Sequence, residues 1–122
     1  MIGYVTLGTN DLPRAAAFYD ALLAEIGAKR FMQGETFIAW GVRPDLPSLG
    51  VIKPYDKKPA TVGNGTMVAL TVVQPAQVDA LHAKAMSLGA TDEGAPGPRG
   101  SRFYAGYFRD LDGNKLNVFC MS

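Results

Sequence analysis

Two halves of this 122-residue chain carry the same elements in the same order, and that repeat restricts the fold more than any single motif. Tyr4-Val5-Thr6-Leu7 is echoed by Met67-Val68-Ala69-Leu70, and Gly27 by Gly89. Phe37, Ala39 and Arg43 are echoed by Phe103, Ala105 and Arg109, and Leu49-Gly50-Val51 by Leu116-Asn117-Val118. The separations run only from 62 (position 27 to 89) to 67 (position 50 to 117), which favours duplication of one supersecondary unit over coincidence.

Each half reads as strand, helix, then three strands. Met1 to Leu7 alternates and is rich in strand formers. Asn10 or Asp11 can cap a helix that tolerates Pro13 in its first turn. Ala15, Phe18, Tyr19, Leu22 and Ile26 recur at helical spacing, and Gly27 suits a left-handed stop. Strands are expected around Lys29–Phe31, Thr36–Val42 and Leu49–Lys53, followed by a polar, proline-bearing stretch from Pro54 to Gly65. In the second half, Thr66–Val73 reads as a strand, and Gln74-Pro75 opens a helix with Val78, Leu81, Ala85 and Leu88 on one stripe. Gly89 ends that helix. Strands are then expected near Ala90–Glu93, at Ser101–Arg109 and at Lys115–Met121, with Gly94–Arg102 as a glycine- and proline-rich loop.

Composition narrows the class. At 122 residues and 48% hydrophobic content the chain can fill one core, and we expect a single domain. The expected division is a first module over about residues 1–55, a linker over about 56–64, and a second module over about 65–122. Twelve Lys and Arg against eleven Asp and Glu leave a net charge of +1, which argues against nucleic acid as a partner. The apolar stretches are short and interrupted, which argues against a membrane span. The first residues run straight into a strand without an export leader, and Cys120 is the only cysteine, so a cytoplasmic protein is expected.

The stretch Arg109-Asp110-Leu111-Asp112-Gly113-Asn114-Lys115-Leu116-Asn117-Val118 reads as strand, tight turn, strand. Together with Gly3-Tyr4-Val5-Thr6-Leu7, Asn10-Asp11-Leu12 and Arg14-Ala15-Ala16-Ala17-Phe18-Tyr19, in this order and spacing, it resembles the glyoxalase, bleomycin-resistance and extradiol-dioxygenase superfamily, the vicinal oxygen chelate proteins. The resemblance covers essentially the whole chain. It implies an α+β fold of two tandem βαβββ modules forming a curved mixed sheet, with helices on the convex face and a small-molecule cleft on the concave face. It also implies a homodimer, and leaves open whether the modules pair within one chain or across two.

In that superfamily a divalent metal takes one ligand from each of four strands, typically His or Gln, Glu, His and Glu. The resemblance carries these onto Tyr4, Gly50, Met67 and Asn117. Zinc, iron, manganese or nickel needs imidazole, carboxylate or thiolate donors at about 2 Å. A protonated phenol, a glycine, a thioether and an amide do not supply them, and the sole histidine, His82, falls on the second helix. No metal or other cofactor is therefore expected at the usual positions. Glu35, Asp45 and Glu93 are the remaining oxygen donors for a site built on non-standard ligands.

Strand parity sorts the other candidates without any family knowledge. Val5 and Leu7 oppose Tyr4 and Thr6; Val68 and Leu70 oppose Met67 and Ala69; Leu116, Val118 and Cys120 oppose Asn117 and Phe119. One face of each strand is apolar and suits packing under a helix, while the other is mixed and suits a ligand. Tyr4, Thr6, Met67, Asn117 and Phe119 are the resulting ligand candidates. The resemblance adds Tyr107, three residues before the hairpin's first aspartate. It also makes Gly94–Arg102 border the cleft, so that Arg99 and Arg102 could pair with an anion. Trp40 and Cys120 read as core, His82 as a packed helix residue, and Asp112-Gly113-Asn114 as a turn rather than a calcium loop.

These types suit a metal-independent protein that binds a small organic molecule. The alternatives are a glyoxalase-type lyase or dioxygenase-like enzyme using metal through non-standard ligands, a metal-free enzyme with Tyr4 or Tyr107 as acid, and a subunit acting through a protein interface. Elemental analysis of protein purified without added metal or chelator is expected to show no tightly bound transition metal. Close to one zinc, nickel, manganese or iron per chain, lost on substituting Glu35 or Glu93, would contradict this.

Overall fold

A computed structural model describes residues 1–121. The chain divides into two compact units, the first spanning Met1–Thr61 and the second beginning at Val62. In the first, β1 (Tyr4–Gly8) leads to α1 (Leu12–Ala24), then β2 (Lys29–Gln33), β3 (Phe37–Gly41) and β4 (Ser48–Ile52). In the second, β5 (Val68–Thr71) leads to α2 (Pro75–Ser87), then β6 (Thr91–Pro98), β7 (Phe103–Arg109) and β8 (Lys115–Met121). Each unit is thus one βαβββ module with its own four-stranded mixed sheet, ordered β1-β4-β3-β2 and β5-β8-β7-β6. The first and last strands of each module run parallel, and the other neighbours antiparallel. A parallel pair needs a crossover connection, and the helix begins it in both units.

Local chemistry sets the helix ends. The Asp11 carboxylate accepts a hydrogen bond from the Arg14 backbone N–H at 3.1 Å, and Pro13 occupies the first turn where its missing donor costs nothing. Gly27, at φ 78°, ends α1 while the Ala28 N–H donates to the Leu23 carbonyl. At α2 the Gln77 side chain accepts from the Gln74 N–H at 2.9 Å, and Gly89 adopts φ 100° beyond the last turn. A capping interaction and a glycine stop therefore bracket both helices, as the repeat implies.

The cores follow strand parity. In the first unit Leu7, Ile38, Trp40, Leu49 and Val51 are buried on one face of the sheet, and α1 packs on β2, β3 and β4 through its buried Phe18, Tyr19 and Leu22. In the second, Phe108, Leu116, Val118 and Cys120 are completely buried where α2 packs on β6, β7 and β8. Cys120 is a free, inaccessible thiol. Gly106 allows a close approach here: an added Cβ would lie 3.1 Å from both the His82 ring and Pro96.

Register refines the repeat. Thr6 opposes Gly50, and Ala69 opposes Asn117, so Gly50 and Asn117 occupy the same place in their modules. Ala39 opposes Gly50 while Tyr107 opposes Asn117, so the counterpart of Ala39 is Tyr107. The sequence echo paired Ala39 with Ala105, two residues away. The second half also departs from the expected boundaries: Met67 precedes β5, and β6 runs on to Pro98 through much of the stretch expected to be a loop. Register shifts at Asp92/Gly94 and Gly94/Gly97 absorb its irregularity, and bulges of this kind let glycine and proline remain in a strand.

Trp40 is buried yet polar at one edge, and its Nε1–H donates to Asp20 at 2.8 Å. Asp20 also binds the Arg30 guanidinium through both oxygens, at 2.8 and 2.7 Å. The Arg30 hydrogen bonds hold the Asp20 carboxyl below its ordinary range; partial burial works against this, and Trp40 adds to it. Asp20→Ala orphans a buried donor, so urea unfolding is expected to show a loss of about 1–3 kcal/mol. Arg30→Ala removes only a largely exposed pair and should cost at most about 1 kcal/mol. Because the folded pKa is depressed, the Asp20 contribution is full above its ordinary value of 3.8 and fades as pH falls through the lower folded value. Equal losses at neutral pH for the two variants would contradict this account.

Candidate functional site

The faces opposite the helices hold the candidate residues. In the first unit, Tyr4 (65% exposed) and Thr6 lie on that face of β1, with Gly50 and Ala39 beside them in register. Tyr4 meets Phe37 edge-on, with ring centres 6.5 Å apart. A Cβ added at Gly50 would stand 2.6 Å from Phe37 Cε2 and 3.4 Å from Thr6 Cγ2. The space a longer side chain would need at position 50 is filled by an aromatic ring.

In the second unit, β7 and β8 place Phe103, Ala105, Tyr107 and Arg109 against Met121, Phe119, Asn117 and Lys115 on one face. Phe103 and Phe119 stack with ring centres 5.1 Å apart and an interplanar angle of 17°. Tyr107 is half-buried, with Arg99 Cζ and Lys115 Nζ each 5.6 Å from its ring centre. Met67 is 40% exposed just ahead of β5, and Arg102 is exposed between β6 and β7. Tyr107, Asn117 and Phe119 are therefore brought onto one face by the register of β7 and β8, with Met67 and Arg102 elsewhere in the same unit. Tyr4 and Thr6 belong to the first unit.

Asn117 differs from the rest. It is 1% exposed, yet its Oδ1 has no hydrogen-bond partner among the described residues. Leaving a buried acceptor unsatisfied costs about 1–3 kcal/mol, so a side chain kept there for stability alone would be apolar. By contrast the polar residues of the adjacent hairpin are satisfied. Asp110 accepts from the backbone of Asp112 and Asn114 at 2.9 Å each and from Asn114 Nδ2 at 3.0 Å, which closes the turn.

The helix face is chemically quiet. His82 Nε2 lies 3.1 Å from Asp92 Oδ1 and 3.2 Å from the Tyr107 carbonyl. Both partners are acceptors, so Nε2 carries the proton and the ring is a packed structural donor. The Gly94 N–H, then His82, hold the Asp92 carboxyl below its ordinary range. A groove of about 570 Å³ lies on the first unit among Thr9, Asn10, Thr36, Lys53, Tyr55 and Lys57. None of the candidate residues lines it. The orphaned acceptor of Asn117, not the size of a depression, marks the candidate site.

The family metal does not fit the residues present. Position 50 is blocked by Phe37, positions 4 and 67 carry a phenol and a thioether, and no group of three His, Cys, Asp or Glu that could hold a metal occurs among the described residues. Of the alternative oxygen donors, Asp45 is paired with Arg43 at 2.7 Å, Glu93 with Arg109 at 2.6 Å, and Glu35 is exposed.

Residues 1–118 match the family model described as Glyoxalase/Bleomycin resistance protein/Dioxygenase superfamily. The chain belongs to this superfamily. Among solved structures, a glyoxalase/bleomycin resistance protein from Albidiferax ferrireducens T118 is 34% identical over 100% of this chain and 99% of that one, with a TM-score of 0.92. A glyoxalase/bleomycin resistance protein/dioxygenase family enzyme from Burkholderia phytofirmans PsJN is 18% identical, over 98% of each chain, at a TM-score of 0.80. The fosfomycin resistance protein FosX from Mesorhizobium loti is 16% identical, over 100% of this chain and 92% of that one, at 0.71. The latter two likenesses concern the fold alone. A comparison with curated proteins found no match.

Within this superfamily fold, sequence reasoning passed over Lys115 and Phe103. Both were within reach, since Lys115 shares the parity of Asn117 and Phe103 that of Tyr107. The orphaned oxygen supplies a direct test. Asn117→Leu, close in shape and without polar atoms, is expected to leave stability unchanged or to raise it by about 1–2 kcal/mol. A loss of more than about 2 kcal/mol in urea unfolding would make Asn117 a structural residue.

Proposed function

We propose that this glyoxalase-superfamily protein binds a small organic ligand on the mixed face of its second sheet, without a metal ion. The observation that carries the reading is Asn117, buried on that face with its Oδ1 unpartnered among the described residues. A ligand N–H or O–H directed at that oxygen would offset the desolvation cost that the free protein bears. The stacked Phe103 and Phe119 and the half-buried Tyr107 provide apolar walls beside it, the combination of broad apolar area and few polar anchors typical of small-molecule sites. Met67 and Arg102 of the same unit extend the set of ligand contacts. A cytoplasmic homodimer is part of this reading, supported by the family resemblance and the unpaired, buried Cys120.

The superfamily's description includes bleomycin resistance proteins, and the Mesorhizobium loti protein of similar fold is a fosfomycin resistance protein; sequestration of a small molecule suits a face of this composition. A metal-dependent lyase or dioxygenase-like activity has less support, because Glu93 and Asp45 are each committed to an arginine.

A ligand-observed magnetic resonance screen of small aromatic compounds tests the proposal, followed by two variants. Tyr107→Phe is expected to weaken a bound hit by roughly 0.5–1.5 kcal/mol, one ordinary hydrogen bond. Cys120→Ala, on the helix face, should lower stability by about 1 kcal/mol and leave affinity nearly unchanged. Loss of binding in the cysteine variant with retention in the tyrosine variant would place the ligand on the other face.

A further inference from the structure

Arg99 is held in place before any ligand arrives. Its Nη2 donates to the Ala95 carbonyl at 2.7 Å and its Nη1 to the Pro98 carbonyl at 3.3 Å, while its Cζ lies 5.6 Å from the centre of the Tyr107 ring. Two glycines make room for it. A Cβ added at Gly94 would stand 3.3 Å from Nη2 and 3.2 Å from Tyr107 Cδ1, and one added at Gly97 would stand 3.2 Å from Nη1. The Gly94-Ala95-Pro96-Gly97-Pro98-Arg99 stretch, which carries no phosphate-loop motif, is thus a bed for one guanidinium. Lys115 brings a second cation to the same ring, with Nζ also 5.6 Å from its centre.

Neither cation has a carboxylate partner among the described residues. Nearby carboxylates are committed: Glu93 to Arg109, Asp92 to His82 and the Gly94 N–H, and Asp110 to the hairpin turn. Glu93 and Arg109 cancel, and Asp92 and Asp110 keep their charge but direct it at His82, the Gly94 N–H and the hairpin N–H groups, so Arg99 and Lys115 stand unpaired beside Tyr107, which is the cross-strand partner of Asn117. A solvated lysine needs no explanation. A guanidinium fixed by two carbonyls and a ring is different, because much of the entropy of ordering it is already spent and its remaining donors are displayed in a constant geometry.

We propose that the ligand of this face is an organic anion, with a carboxylate- or phosphoryl-type group, whose charged end is held by Arg99 and Lys115 beside Tyr107. The proposal rests on the reading of this face as the ligand surface and adds the chemical class. Arg99 and Lys115 supply charge-assisted donors to the anion. Asn117 Oδ1 accepts from a donor elsewhere on the same molecule, and the Phe103–Phe119 pair meets its apolar body.

Benzoate, phenylphosphonate and benzamide, titrated into the full isotope-labelled chain at constant ionic strength, separate the terms. At least one of the two acids is expected to bind saturably and roughly tenfold more tightly than benzamide, with the Arg99 Nε–H resonance among those shifted. Which acid binds more tightly distinguishes carboxylate from phosphoryl recognition. Arg99→Gln and Lys115→Met should each weaken that acid about five- to tenfold and leave benzamide unchanged, while Arg99→Lys, keeping the charge, should recover part of the loss. Both sites are on the surface side of the sheet, and an unchanged backbone spectrum verifies that each variant is folded. Benzamide binding as well as both acids, or acids indifferent to both substitutions, would overturn the anion while leaving the ligand face standing. Failure of all three probes to bind would count against the face and the anion together.

Discussion

Leu116, Val118 and Cys120 are completely buried where β8 meets α2, and successive side chains of a strand point to opposite faces. Lys115, Asn117 and Phe119 are thereby committed to the other face, and the register with β7 sets Arg109, Tyr107 and Ala105 opposite them. A slip of one residue would bury Lys115 and expose Leu116, so the apolar seal beneath the helix protects the register. The composition of the candidate site is therefore a consequence of how the other side packs. The first unit obeys the same constraint, with Leu49 and Val51 sealed on the α1 side and Gly50 left on the opposite one.

Against that shared frame, the two modules treat the equivalent place differently. In the first, Gly50 is overlain by the Phe37 ring. In the second, Asn117 holds a buried carbonyl oxygen with no partner among the described residues. The resemblance implies a glutamate ligand at each of these two places, and this chain offers a glycine and a neutral amide. In the function proposed, hydrogen bonding, aromatic contact and charge around Tyr107 take the place of that metal chemistry. That is a change in the kind of interaction, made by a few side chains on an unchanged backbone plan.

Much of the fold was legible because apolar alternation and helical stripes are direct readouts of burial. Trp40 and Cys120 were assigned to the core from parity alone, and both are buried. His82 was read as a packed helix residue, and it donates to Asp92 and the Tyr107 carbonyl. Other features escaped because they depend on neighbours distant in sequence. β6 contains two prolines and two glycines, a composition that signals a loop, and only its pairing with β7 across two register shifts keeps it extended. The repeat misplaced β3 against β7 by two residues, since a shift of two preserves parity and so preserves the hydrophobic pattern. Arg99 was noticed as a charge in a loop, but its two carbonyl acceptors and its glycine bed require coordinates.

The central claim is that the mixed face of the second sheet, with Asn117 at its centre, is where a ligand sits. Chemical-shift mapping with the tightest hit from a small-molecule screen tests it most directly, because the Asn117 side-chain amide reports on its own oxygen's environment. The account predicts that this amide, together with Tyr107 and Phe119, shows the largest saturable shifts, while Cys120 and the residues of α2 stay nearly still. Largest shifts at Cys120, His82 or Val78, with the Asn117 amide unmoved, would contradict it.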